Sequence, residues 1–405
     1  MLPDDMADLF RPIYRAPAPP PHQPGIHALI VGISRYPNLP LPGHGDELSP
    51  DERKLGLEQL TCAARSAWSV HNWLLQTEKQ LPLPLLSIRT LLSLSDDENR
   101  EFGADSLPAH GASLERFQAA ANSWRADLSH DPDHVALFYY AGHGFQRKRS
   151  GDLVMLLEGT GGQLGGRLAH SIEASHLVGG MAPSQLHPRI ARKQVYLFDA
   201  CRMPLTDGYK YEDEPGGSLW DIAALGEFED DRLMPRYYTT RPGASAYGLP
   251  DNLTLFSRAL LRCFDGSAAE FNTAMDRWEV TAASLSEAFN RELIAVSEDE
   301  KIEAKQKVQV DGLGEPLTLV KFPTAPEVEV SVSVDPASAV PATKISIGDF
   351  MAPPRDFGPP LDPHPLRVKL PMGSYRVSVT SDGLHLDCLR NLNARESVWR
   401  LELDE

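Results

Sequence analysis

The runs His134-Val-Ala-Leu-Phe-Tyr-Tyr140 and Gln194-Val-Tyr-Leu-Phe-Asp199 are apolar at consecutive positions between polar ends, not at alternate ones. A strand with water on one face alternates. A strand that is apolar throughout is covered on both faces, as in a parallel sheet flanked by helices. His27-Ala-Leu-Ile-Val-Gly-Ile33 has the same character, and Ser87–Leu92, Asp152–Leu157 and Arg236–Thr240 read as further short strands. Helical periodicity separates them. Leu57 to Leu75 carries Leu60, Ala64, Ala67, Val70 and Leu74 on one stripe. Ser113 stands where an N-cap is expected for a helix over Leu114–Asp127, Leu253–Phe264 is helix-like, and Thr281 caps a helix to about Val296. Strands alternating with helices predict an α/β fold with a mainly parallel sheet.

A chain of 405 residues is longer than one core usually fills, so two or three domains are expected. Residues 1–25 contain Ala16-Pro-Ala-Pro-Pro-Pro-His-Gln-Pro24 and read as an extended proline-rich arm. The α/β pattern occupies 26–322. From 323 to 405 the period changes to two: Glu327–Asp335, Leu366–Leu370, Tyr375–Val379 and Val398–Leu403 alternate strictly, which predicts a small all-β module of sandwich type.

Two of the buried strands lead into reactive residues. The first ends in Tyr140-Ala-Gly-His143-Gly144, the second in Asp199-Ala-Cys201-Arg202. In an open parallel sheet, catalytic groups gather at the carboxyl ends of strands. If the two strands are neighbours, His143 and Cys201 face each other. An imidazole can take a thiol's proton and later protonate a leaving amine, while the thiolate is the nucleophile. The N–H groups of Gly144 and Cys201 could then hold the developing oxyanion, roughly 3–4 kcal/mol per donor.

Ala28-Leu-Ile-Val-Gly-Ile-Ser-Arg-Tyr36, Tyr139-Tyr-Ala-Gly-His-Gly144, Tyr196-Leu-Phe-Asp-Ala-Cys-Arg202 and Thr239-Thr-Arg-Pro-Gly-Ala-Ser-Ala246 with Leu255–Leu261 together resemble the caspase and metacaspase superfamily, of bacterial type, over about residues 27–265. A caspase signature has Ala-Cys at its centre and a His about 50 residues upstream; here the separation is 58. The resemblance implies a caspase-like fold and a cysteine endopeptidase with His143 and Cys201 as its dyad. It also implies a preference for Arg or Lys. In metacaspases an Asp two residues before the Cys lines the pocket for a basic side chain, and Asp199 holds that position; animal caspases carry Gln there and cleave after Asp. Two departures stand out. A second acidic pocket residue is usual near the start of the first helix, where this chain has Ser66. Phe145 replaces the small polar residue common after His-Gly.

The segment after Cys201, including Lys210-Tyr-Glu-Asp-Glu214 and Glu227–Leu233, is acidic and loop-like. In the family the corresponding linker is often cleaved, and Lys210 and Arg232 are basic residues where self-cleavage could occur. Some metacaspases bind calcium through acidic loops. Glu212, Asp213, Glu229, Asp230 and Asp231 could do so, although they lack an EF-hand spacing. The peptidase chemistry itself needs no cofactor and no metal.

The formal net charge of −17 argues against direct nucleic-acid or anionic-membrane binding. No apolar run approaches the roughly 18 residues of a membrane helix. Met1-Leu-Pro-Asp-Asp lacks a secretory pattern, and the four scattered cysteines form neither a zinc motif nor a disulfide framework. The expectation is a cytoplasmic, reduced protein that cuts a protein partner, with the β module recruiting substrate, a regulatory protein or a neighbouring subunit. Relatives of this type act in regulated cell death and antiviral defence. The alternative is a catalytically silent adaptor working by protein–protein contact.

Overall fold

In the computed structural model the apolar runs become the central strands of a seven-stranded sheet. Residues 12–16, 23–44, 55–103, 107, 111–162, 168–203, 214–220, 228–240, 252–302, 306–349, 353–362, 365–381, 384–392 and 398–402 are described. The chain divides into two compact units: Met1–Arg258 with Glu303–Glu315, and Ala259–Ile302 with Pro316–Glu405.

The first unit runs β1 (Tyr14–Arg15), β2 (Ile26–Ile33), α1 (Ala63–Gln76), β3 (Leu85–Ser93), α2 (Asp96–Phe102), α3 (Leu114–Leu128), β4 (Val135–Ala141), β5 (Gly144–Gln146), β6 (Leu153–Leu156), β7 (Ser171–Glu173), α4 (Ala174–Gly180), β8 (Lys193–Asp199) and β9 (Arg236–Tyr238). The chain leaves this unit within α5 (Leu255–Arg262). It then forms β10 (Glu270–Asn272), β11 (Arg277–Thr281) and α6 (Ala282–Asp299) in the second unit, and returns for β12 (Gln309–Asp311). The large sheet has the order β1-β3-β2-β4-β8-β9-β12. Its five inner strands are parallel, and the short edge strands β1 and β12 pair antiparallel. β2, β3 and β4 are buried at every position, as their continuous apolar character requires.

Phe138, Phe198 and Tyr196 lie on one face of the sheet with ring centroids 5.7–6.2 Å apart. Phe117, Ala120, Ala121 and Trp124 of α3 belong to the same buried cluster. Trp124 is fully buried, and its indole N–H donates to the His27 carbonyl at 2.9 Å. Trp124→Ala is therefore expected to cost about 3–5 kcal/mol, a cavity plus one lost buried hydrogen bond. The urea midpoint at constant m-value measures it; a change under about 1 kcal/mol would contradict this view of the core.

One predicted boundary moves. The helix expected from Leu57 begins at Ala63. The preceding residues are held extended by main-chain bonds from Gln59 N to Pro40 O (2.8 Å) and from Leu60 N to Ser34 O (2.9 Å). The first amides of α1 are capped from outside: Ser34 Oγ accepts from Ala64 N at 3.0 Å and the Glu98 carboxylate from Arg65 N at 2.8 Å.

The second unit contains the sheet β10-β11-β13, with β13 spanning Thr318–Phe322. Helix α6 opens on Thr281 and Ser284, whose hydroxyls accept from each other's amides at 3.1 and 3.0 Å. Beyond it come β14 (Glu327–Asp335), β15 (Lys344–Gly348), β16 (Arg355–Phe357), β17 (Leu366–Pro371), β18 (Gly373–Ser381), β19 (Leu384–Leu392) and β20 (Val398–Glu402). They form the sheets β17-β14-β20 and β16-β15-β18-β19. On β14, Val328, Val330, Val332 and Val334 are buried while Glu327 and Glu329 are exposed, as strict alternation predicts. Tyr375 of one sheet meets Trp399 of the other at 6.0 Å between centroids. No helix among the described residues is long and apolar enough to cross a membrane.

Candidate active site

Strands β4 and β8 are parallel neighbours with Ala141 opposite Asp199. His143 and Cys201 each follow two residues later, so the register brings both to the same end of adjacent strands. Gly142 N donates to Asp199 O at 3.2 Å, tying the two departing chains together. Gly144 lies against the cysteine: a Cβ there would stand 2.9 Å from Ala200 Cβ and 3.1 Å from the Cys201 carbonyl oxygen. Cys201 is partly exposed and not disulfide-bonded, whereas His143 is buried.

The His143 ring is oriented by a contact that side-chain motifs do not reveal. Nε2 lies 2.5 Å from the main-chain carbonyl oxygen of Glu58. A carbonyl only accepts, so Nε2 carries the proton and Nδ1 keeps its lone pair. Glu58 sits in the stretch held extended before α1, so the delayed helix start delivers this acceptor. Burial lowers the His143 pKa to about 4, with the Glu58 carbonyl opposing, and the imidazole is neutral near pH 7.

Two tyrosines hold the backbone around His143. Its N–H donates to the Tyr36 hydroxyl at 2.8 Å, and its carbonyl accepts from the Tyr140 hydroxyl at 2.7 Å. Strand alternation turns Tyr140 to this side and Tyr139 to the other, where its hydroxyl donates to the Asp199 carboxylate at 3.1 Å. Asp199 is only 3 % exposed. It also accepts from the Thr254 hydroxyl, whose neighbour Ser257 Oγ is 2.6 Å away. Ser66 joins the same network by accepting from Thr254 N at 2.9 Å and donating to Cys62 O at 2.8 Å. Burial raises the Asp199 pKa to about 7, against the hydroxyl bonds from Thr254, Tyr139 and Thr239. The nearby Cys62 thiol is pushed up to about 12, by burial first and then by Asp199 and Glu98. It is a buried thiol, unlike Cys201.

Phe145 points into the core and is 3 % exposed, so it lines no opening. Glu212, Asp213 and Lys210 lie outside the described residues. Asp230 is engaged by Arg232 and Asp231 by Arg192 at 2.5 Å. Among the described residues no group of three or more metal-ligating side chains converges. The Arg232 side chain also bonds Val178 O and Gln194 Oε1 and is 3 % exposed, so in this conformation it is not offered for cleavage.

A comparison with curated proteins gives no match. Among solved structures, a protein from Geobacter sulfurreducens aligns at 13 % identity and a TM-score of 0.40, over 72 % of this chain and 94 % of its own. Caspase-1 from Spodoptera frugiperda aligns at 12 % identity and a TM-score of 0.37, over 75 % of this chain and 96 % of its own. A family model of the caspase domain matches residues 102–310, more than half of the chain and the segment that carries both His143 and Cys201. The chain belongs to the caspase-domain family, whose members are generally cysteine peptidases.

Proposed function

We propose that this protein is a cysteine endopeptidase in which His143 and Cys201 act as base and nucleophile on a protein substrate, cut after Arg or Lys. The observation that carries the reading is the shared register of the two strand ends together with the Nε2–Glu58 bond. In the proposed reaction Nδ1 takes the thiol proton as sulfur attacks the scissile carbonyl. The resulting imidazolium is steadied by the Glu58 carbonyl and returns the proton to the leaving amine. Water then releases the acyl group from Cys201. Gln146 N donates to Met203 O at 3.4 Å, so the even-numbered amides of β5 face the segment after Cys201. Alternation puts the Gly144 N–H on that same side, where it and the Cys201 N–H would receive the oxyanion.

The basic preference rests on Asp199. Its carboxyl is buried two residues before Cys201, among hydroxyls of Tyr139 and Thr254 that carry no charge. A buried carboxylate held by neutral hydroxyls alone is poorly stabilised, and an arriving guanidinium or ammonium would restore its charge. Ser66, where a second acid is expected, is occupied in the hydroxyl network, which leaves Asp199 as the acid proposed to receive the basic side chain. The residues from 323 onward would recruit the substrate or a regulatory partner.

Fluorogenic peptides ending in Arg, Lys or Asp test the proposal. Arg or Lys peptides should be cleaved and Asp peptides not. Asp199→Asn should cut kcat/KM for the Arg peptide on the order of 10²-fold, because it removes one charge of a buried pair. Preferential cleavage after Asp would overturn the role of Asp199.

A further inference from the structure

Two buried phenols that the dyad does not need as proton carriers bond the main chain of His143 on either side of its ring. We propose that Tyr36 and Tyr140 form a hydroxyl clamp that positions His143, so that Nδ1 faces Cys201 and Nε2 faces Glu58. The inference rests on the peptidase reading and names the device that makes that dyad rigid.

The geometry is closed on itself. Tyr36 accepts the His143 N–H at 2.8 Å, and its hydroxyl lies 3.3 Å from the Leu156 carbonyl. Tyr140 has one proton and two carbonyls at 2.7 Å, those of His143 and Leu156. Leu156 N donates back to His143 O at 3.0 Å. The polar groups before and after the His143 side chain are thus tied to one residue of β6 through two hydroxyls. The Tyr36 ring also packs on the imidazole, with centroids 4.9 Å apart. Both tyrosines are fully buried, and burial raises both phenol pKa values, so they remain protonated and able to donate. Gly142 completes the device. A Cβ there would lie 2.7 Å from the Tyr140 hydroxyl oxygen and 2.8 Å from that of Tyr36. Glycine is thus required by the space the clamp occupies, on the residue just before the histidine.

These contacts sit on the main chain and the ring face, not on the reacting nitrogen. They are positioning contacts, and their effect is on where Nδ1 points. Misplacing a catalytic group by about 1 Å can cost about 10²-fold in rate.

The test uses Tyr36→Phe, Tyr140→Phe and Gly142→Ala in the full chain. Tyr196→Phe serves as control: it removes another fully buried hydroxyl, bonded to Gln194 Oε1 at 2.7 Å and away from His143. In each clamp variant kcat should fall about tenfold to hundredfold with KM changed less than about twofold, while the control keeps its kcat. The second readout is the ¹⁵N spectrum of His143, assigned by its loss in His143→Gln. The wild type should show the Nε2-protonated tautomer near pH 7. The clamp variants should show mixed tautomers and a titration moved up from about 4. The spectrum needs no turnover, so it decides the clamp even if no peptide is cleaved; loss of the peptidase reading would show instead as activity indifferent to Cys201→Ala. An unchanged His143 tautomer and titration in all three folded variants would overturn the clamp. So would equal losses in the Tyr196→Phe control, which would show general destabilisation.

Discussion

Cys201→Ala is expected to abolish peptide turnover, by about 10⁴-fold or more in kcat, and His143→Ala to do nearly the same. The double variant should lose no more than the worse single one. The reason is geometric. The two groups stand at the same end of neighbouring strands, and in the proposed dyad they share one proton transfer and one attack. Remove either, and the other has no step left to complete, so their contributions cannot add. Stability should barely change in Cys201→Ala, because the thiol is only partly buried. Urea midpoints of the variants therefore separate chemistry from folding. A Cys201→Ala protein that cleaves peptides at the wild-type rate would show that any cleavage comes from elsewhere and would leave the fold as a binding scaffold. Additive losses in the double variant would argue that the two residues act in separate steps.

The parts of this site that were legible in the sequence were those with their own signature. The apolar runs of β4 and β8 demanded a doubly covered sheet, and the residues that broke those runs were His143 and Cys201. Ser113 and Thr281 announced their helices because capping is a local bond between a side chain and an amide three residues on. The Glu58 contribution was not legible, since it is made by a main-chain carbonyl that any residue possesses. Its place depends on α1 starting at Ala63, and that start is fixed by Ser34 and Glu98, which are distant in sequence. Tyr36 and Tyr140 lay inside recognisable motifs, but a buried tyrosine reads as core until its hydroxyl partners are known. Edge strand β12 has three residues and owes its form to pairing with β9, not to its own pattern. β19, Leu384-His-Leu-Asp-Cys-Leu-Arg-Asn-Leu392, loses clean alternation at Cys388-Leu389, yet it pairs with β18 from Gly373 to Ser381.

The departure at Ser66 has a physical reading of its own. Ser66 stands in place of an acid; the hydroxyls of Tyr139 and Thr254 donate to the Asp199 carboxyl, while Ser257 and Ser66 bond Thr254 behind it. Two buried carboxylates would repel each other and one would hold a proton. A hydroxyl in place of the second acid keeps the network bonded without that repulsion. It also makes the site's charge depend on one group whose pKa lies near 7.

Acid should destabilise this protein already between about pH 6.5 and 5, above the range where ordinary carboxylates protonate. Burial lowers the pKa of His27 to about 3 and those of His71 and His143 to about 4, with Asp127 opposing at His27 and the Glu58 carbonyl at His143. The fold therefore holds each ring neutral, while the unfolded chain binds a proton near pH 6.5. Above about 6.5 neither state is protonated and there is no penalty. Between 6.5 and the folded values the unfolded state binds more protons, so stability falls as pH falls; below the folded values the penalty is constant. At pH 5 each ring contributes about 2 kcal/mol of destabilisation, about 6 kcal/mol for the three. Asp199 works the other way. Its folded pKa is raised to about 7, so its buried charge destabilises the fold at neutral pH and lowering the pH relieves it, by about 2 kcal/mol between 7 and 5. Glu98 and Asp152, also raised by burial, act in the same direction as Asp199. The histidines outweigh Asp199, with a net loss of about 4 kcal/mol before those two, a large share of a typical total of about 5–15 kcal/mol. Urea midpoints at pH 7.5, 6 and 5 measure the curve. His71→Gln, which keeps a polar group for Thr90, should flatten it by about one third of the histidine contribution. Asp199→Asn should steepen it, because the compensating carboxyl is gone. Parallel curves for wild type and both variants would show that these buried groups do not set the acid limit.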